Sequence, residues 1–174
     1  MKVRKKGMSG LSLTALSVFF IVSFLIGCSA EKVHLKIGDT APKAVLKDLK
    51  GSNVSLPDDF KGKLVVLRFW ADWCKSCEIE MPALDRVYKK HVQKNIVILA
   101  INVGQTKEIA EDYARKLELS YPVLLDQSSK IAKSYGVVGL PTTIIIDRDG
   151  RLKKKIIGET GGEALEKIIA ELLL

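Results

Sequence analysis

Cys74 and Cys77 stand two residues apart in the run W-A-D-W-C-K-S-C-E-I-E-M-P over residues 70–82. That spacing admits three chemistries: a short disulfide staple, half of a metal clip, or a reactive dithiol. A staple closing so small a loop removes little entropy from the unfolded chain. A structural metal site needs two further ligands, and the two histidines, His34 and His91, lie far apart in the sequence. Each reads as an ordinary surface or core histidine. The third cysteine, Cys28, leaves an odd count, so no disulfide framework uses all three.

The elements around the pair favour reactivity. Leu64 to Trp70 (LVVLRFW) is a near-continuous apolar run, the pattern of a buried strand. Helical periodicity follows from about Lys75 to Gln93. Cys74 therefore sits where a helix begins, beside N–H groups that lack internal partners and at the positive end of the macrodipole. Both effects favour a thiolate and draw the thiol below its ordinary pKa of about 8.5. Lys75 adds a positive neighbour, and Glu78, on the solvent side, opposes it. Cys77, Met81, Leu84, Tyr88 and His91 recur at spacings of three and four, a stripe that faces the sheet. Cys77 is then the inner sulfur and Cys74 an exposed outer one. An outer thiolate with a shielded partner suits thiol–disulfide exchange: Cys74 attacks a substrate disulfide and Cys77 resolves the mixed disulfide.

The remaining elements place this helix in an α/β domain. Ala44 to Leu49 and Val54 to Leu56 flank Lys50-Gly51-Ser52-Asn53 as an N-terminal β-hairpin. Ile96 to Val103 is a second buried strand, Thr106 to Leu117 an amphipathic helix, Pro122 to Leu125 a short strand and Ser129 to Tyr135 a short helix. Thr142 to Asp147 and Leu152 to Ile157 flank Arg148-Asp149-Gly150 as an antiparallel hairpin, and Glu163 to Leu173 is a closing helix. Helical crossovers between apolar strands require parallel pairing, so the order predicts a mixed central sheet with helices on both faces.

The chain has 174 residues, 47% of them apolar, enough for one packed domain. Its net charge is +8, and Lys2, Arg4, Lys5 and Lys6 supply half of that excess. The remainder gives no reason to expect nucleic-acid binding. Lys153-Lys154-Lys155 reads as a solvated strand or turn. The basic stretch precedes an uncharged, mostly apolar run from Leu11 to Ile26, too short for a comfortable membrane span and laid out like a secretory signal peptide. Leu25-Ile26-Gly27-Cys28 resembles the lipobox of bacterial lipoproteins. That resemblance implies a signal peptide over 1–27, lipidation of Cys28, a tether over 28–36, and an extracytoplasmic, membrane-anchored domain over 37–174. Lipidation would also account for the odd cysteine.

Phe69-Trp70-Ala71-x-Trp73-Cys74-x-x-Cys77 resembles a thioredoxin-fold active site, and Tyr135-Gly136-Val137-Val138-Gly139-Leu140-Pro141-Thr142 resembles that fold's second signature. The resemblance implies a cis Pro141 packed against the Cys74–Cys77 disulfide, with the backbone of Leu140 free to pair with an extended substrate segment. Gly38-Asp39-x-Ala41-Pro42, Glu80-x-Pro82 and an inserted strand-helix-strand between about Asn102 and Asp126 narrow it to the TlpA/ResA-type membrane-tethered oxidoreductases, some of which serve cytochrome c maturation. Carried over, Glu80 tunes the cysteines. Partial burial would raise its pKa and let it take the proton of Cys77. Trp70, Trp73, Lys75 and Ser76 support the site. Arg68 departs from the Asp or Asn usual at its position; it could turn inward to pair with Glu80 or outward at the sheet edge. The resemblance, with no histidine between the cysteines, implies a reductant. It needs no cofactor beyond the redox-active disulfide. It would be recharged by a membrane donor of the CcdA or DsbD kind and act on exported disulfide substrates such as apocytochrome c. The rivals are an extracytoplasmic oxidase or isomerase and a copper-handling lipoprotein of similar fold.

Overall fold

The structure is a computed structural model, and residues 35–91 and 95–173 are described here. The expectations for residues 1–27 and Cys28, and most of the tether, lie outside the described residues.

In chain order the elements are β1 (Ala44–Asp48), β2 (Asn53–Leu56), a short 3-10 turn (Asp58–Phe60), β3 (Leu64–Trp70), α1 (Lys75–His91), β4 (Ile96–Val103), α2 (Lys107–Lys116), β5 (Val123–Asp126), α3 (Lys130–Ser134), β6 (Thr142–Ile146), β7 (Leu152–Ile157) and α4 (Gly162–Leu173). Every expected element is present. About half of the ends fall where expected and nearly all the others move by one residue, as the fraying of element ends leads one to expect. The short fifth strand begins at Val123 rather than Pro122, since Pro122 has no N–H to give a ladder. It uses its carbonyl instead, which accepts the Ala100 N–H at 2.9 Å.

The seven strands form one sheet in the order β2-β1-β5-β4-β3-β6-β7. β3, β4 and β5 run parallel, and the two outer hairpins, β1–β2 and β6–β7, are antiparallel. All seven residues of β3 are buried, because the strand lies in the middle of the sheet and both its faces are covered. Alternation assigns its side chains. Leu64, Val66 and Trp70 join one core with Met81, Leu84, Tyr113, Leu165 and Ile169, beneath α1, α2 and α4. Val65, Leu67 and Phe69 join a second core with Ala41, Leu46, Ala132 and Tyr135, beneath α3 and the segment leading into β1. Helices therefore cover both faces, as the strand order requires.

The buried face of α1 differs from the expected stripe at three residues. Asp85 and Val87 are buried with Cys77, Met81, Leu84 and His91, whereas Tyr88 is only half-buried. Asp85 tolerates burial because its Oδ1 accepts the backbone N–H and the hydroxyl of Ser120, both at 2.7 Å, while Lys89 lies 2.6 Å from Oδ2. Pro82 lies inside α1 without ending it. No helix among the described residues is long and apolar enough to cross a membrane.

Candidate active site

β3 delivers the chain to the sulfurs. It ends at Trp70, whose side chain is fully buried, and a turn closed by the Cys74 N–H on the Ala71 carbonyl (3.2 Å) leads into α1. Cys74 and Cys77 are joined as a disulfide. The backbone N–H of Cys77 donates to Cys74 Sγ at 3.3 Å, so a donor at the helix start already points at the outer sulfur. That donor favours a thiolate there once the bond is reduced. Cys77 is fully buried and Cys74 is 6% exposed. The order of exposure is the expected one, but Cys74 is far less open than an exposed outer thiol. The strand-to-helix turn and the neighbouring segments close over all but a small part of it. Lys75 is exposed. Glu78 reaches away to Lys116, at 2.6 Å, rather than toward the cysteines.

The second signature brings a loop to the same end of the sheet. The Leu140–Pro141 bond is cis, as is Leu56–Pro57, which the sequence does not announce. The backbone of Leu140 has no partner among the described residues, so an incoming strand would meet open groups. Trp73 is 69% exposed and Val138 is 81% exposed, which leaves apolar surface on both segments. The loop between β7 and α4 ties the two halves together. Gly158 donates its N–H to the Pro141 carbonyl at 2.8 Å. Glu159 accepts from the hydroxyl of Ser76, and the N–H groups of Thr160 and Gly161 both donate to Glu80 Oε1.

Glu80 is more firmly held than a general base. Its Oε2 pairs with Arg68, which is 2% exposed and donates its other terminal nitrogen to Thr143 Oγ1 at 2.7 Å. Arg68 thus turns inward, on the same face of β3 as Val66 and Trp70. Burial alone would raise the pKa of Glu80. The Gly161 N–H, the Arg68 charge and the Thr160 N–H outweigh it and hold the carboxyl below its ordinary range. This corrects the expectation of a raised pKa: the burial is present, but three polar contacts stabilise the anion more than burial disfavours it. With its oxygens committed to Arg68 and the loop, Glu80 serves as an anchor of α1.

Three contacts from the inserted strand-helix-strand are invisible in the sequence. Tyr113 of α2 stacks on Trp70 with ring centroids 5.2 Å apart. Burial, with the carboxylates of Glu78 and Asp72 nearby, pushes its phenol up to about 12. Lys116 reaches Glu78, and Gln105 grips Asp72. Amphipathic periodicity gives the buried face of α2, but no linear spacing reveals which residues that face meets.

The AhpC/TSA family model matches residues 37–155. A thiol-disulfide oxidoreductase ResA from Bacillus thuringiensis subsp. konkukian is 36% identical over 89% of this chain and 95% of its own length. ResA from Bacillus subtilis is 35% identical over 74% and 72%. Among solved structures, the thioredoxin domain of a thiol-disulfide oxidoreductase from Bacteroides vulgatus superposes with a TM-score of 0.72 at 28% identity, covering 80% of this chain and 99% of that one. The chain belongs to the AhpC/TSA family and, within it, to the ResA-type thiol–disulfide oxidoreductases of thioredoxin fold, with Cys74-x-x-Cys77 as its redox pair.

Proposed function

From that membership, we propose that the chain is an exported, lipid-anchored reductant of disulfides in other exported proteins, with apocytochrome c as the leading substrate. The observation that carries the reading is the asymmetry of the pair. Cys74 Sγ, the more exposed sulfur, receives the Cys77 N–H at the helix start, and Cys77 is fully buried. In the reduced protein the Cys74 thiolate attacks one sulfur of the substrate disulfide. An S–S bond forms to Cys74 and the second substrate sulfur leaves as a thiolate. The sulfur of Cys77, deprotonated, then attacks Cys74 Sγ, closes the Cys74–Cys77 bond and releases the first substrate sulfur. Two electrons pass to the substrate, and no cofactor takes part.

Pro141 and Leu140 would align the substrate strand, with Trp73 and Val138 supplying apolar contact. Ser76, Glu80 and Arg68 would hold the helix that carries the sulfurs. The signal-peptide and lipobox pattern ending at Cys28 supports export and a membrane anchor. A reductant kept outside the cytoplasm must be recharged, which supports a membrane donor of the CcdA or DsbD kind.

Cys77→Ser tests the assignment. It should accumulate mixed disulfides through Cys74 with exported proteins, and a variant that traps none would overturn the assigned roles. The direction of flow is read separately from the reduction potential. A value near or above about −150 mV would make the protein an oxidant instead.

A further inference from the structure

Asp72 stands two residues before Cys74, beside the first turn of α1, where the Cys77 N–H donates both to the Cys74 carbonyl at 2.9 Å and to Cys74 Sγ at 3.3 Å. Aspartate is among the side chains best suited to capture such a donor. Left alone, its carboxylate would compete with Cys74 Sγ for it and set a negative charge beside a sulfur that must ionise. The structure gives that carboxylate another partner. Gln105, in the loop between β4 and α2, donates from Nε2 to Asp72 Oδ1, and its Oε1 accepts the Asp72 backbone N–H at 3.0 Å. The same Oε1 accepts from Nδ2 of Asn102 at 2.8 Å, and Asn102 is fully buried at the end of β4, in register with Trp70. The Asp72 N–H can only donate, so the amide of Gln105 must turn its oxygen there and its NH2 toward the carboxylate. Gly104 lets the chain reach this position. Its φ of +74° is costly for other residues, and a Cβ on it would lie 3.1 Å from Ser129 Oγ.

We propose that Gln105 is a positioning residue for the thiol chemistry: by gripping Asp72 at both its backbone N–H and its carboxylate, it keeps that carboxylate off the start of α1 and leaves the Cys77 N–H to the Cys74 sulfur. Asn102, rigid within the sheet, orients Gln105. Among the contacts that the inserted strand-helix-strand makes with the site, this amide is the one that bears on the Cys74 sulfur. The inference rests on Cys74 being the attacking sulfur.

The test follows alkylation of the reduced full-length protein against pH, with the Cys74 and Cys77 peptides read separately by mass spectrometry. Gln105→Ala should raise the pH midpoint of Cys74 alkylation by about one unit, roughly a tenfold loss of thiolate below the midpoint. Gln105→Glu should do the same while keeping the side-chain volume, because it faces Asp72 with a second carboxylate. Adding Asp72→Ala to either variant should restore the wild-type profile. An unmoved midpoint in both Gln105 variants overturns the inference, and so does a shift that survives Asp72→Ala. If Cys77 rather than Cys74 is the more acidic sulfur in the wild type, the assignment of the two cysteines falls, and this inference with it.

Discussion

Removing the charge of Glu80 would leave Arg68 a buried cation with Thr143 as its remaining side-chain partner. Breaking one side of a buried pair is far more damaging than replacing both. Glu80→Gln should therefore lower stability by about 3 kcal/mol in urea unfolding, and Arg68→Met combined with Glu80→Leu should lose less than Glu80→Gln alone. Arg68 was partly legible in the sequence. In the alternation of β3 it shares parity with Val66 and Trp70, which gives it their face of the sheet, and the structure puts α1, the helix that carries Glu80, on that face. What alternation does not reveal is the third party. The N–H groups of Thr160 and Gly161 come from a loop distant in sequence, and they help turn a candidate base into a fixed anion.

At the scale of elements, the start of α4 comes unusually close to α1. A Cβ added at Gly162 would lie 2.8 Å from Ala83 Cβ, with the Ala83 backbone just behind it. Neither neighbour is a flexible side-chain end that could swing aside. Gly162→Ala should separate the helices and cost about 1–3 kcal/mol, the usual penalty for overpacking, read as a lower thermal midpoint. Ala83→Gly in the same chain should recover part of the loss. The strands and helices themselves were legible because each has its own periodicity. This approach was not, since a glycine at a helix start looks like any weak helix former. The lysines of β7 show the same division. Lys153 and Lys154 are exposed on an edge strand, where charge discourages pairing with other sheets. Lys155 turns in to donate to the carbonyls of Tyr135 and Gly136, and burial lowers its pKa.

Over the whole molecule these contacts set an acid limit. Burial alone would raise the pKa of Glu80 and of Asp85. Glu80's backbone and Arg68 partners outweigh it, as do Lys89 and Ser120 for Asp85, and both carboxyls lie below their ordinary range. The folded state therefore favours their ionised forms. Their contribution is fully present above the ordinary carboxylate pKa of about 4 and is lost as pH falls through their lower folded-state values. The urea midpoint should rise between about pH 3 and pH 5, and Glu80→Gln with Asp85→Asn should flatten that rise. The mixed sheet with helices on both faces was readable from the sequence because buried strands and crossover helices leave few arrangements, but the strand order, with β1 laid against β5, was not. Nor were the long-range polar contacts, Asp72 with Gln105 and Ser76 with Glu159. They depend on which loops meet at one end of the sheet, and that is fixed only after the sheet has formed.

Gly158–Gly161 joins the Pro141 carbonyl, the Ser76 hydroxyl and the Glu80 carboxylate. For protein engineering, this makes the loop a spacer of set length. Its residue count, more than its residue identities, sets the gap between the helix that carries the sulfurs and the segment that would receive a substrate strand. A chimera that borrowed only these four positions from a relative would import the relative's spacing while keeping its own cysteines, and a reporter inserted among them would open the gap without touching either sulfur.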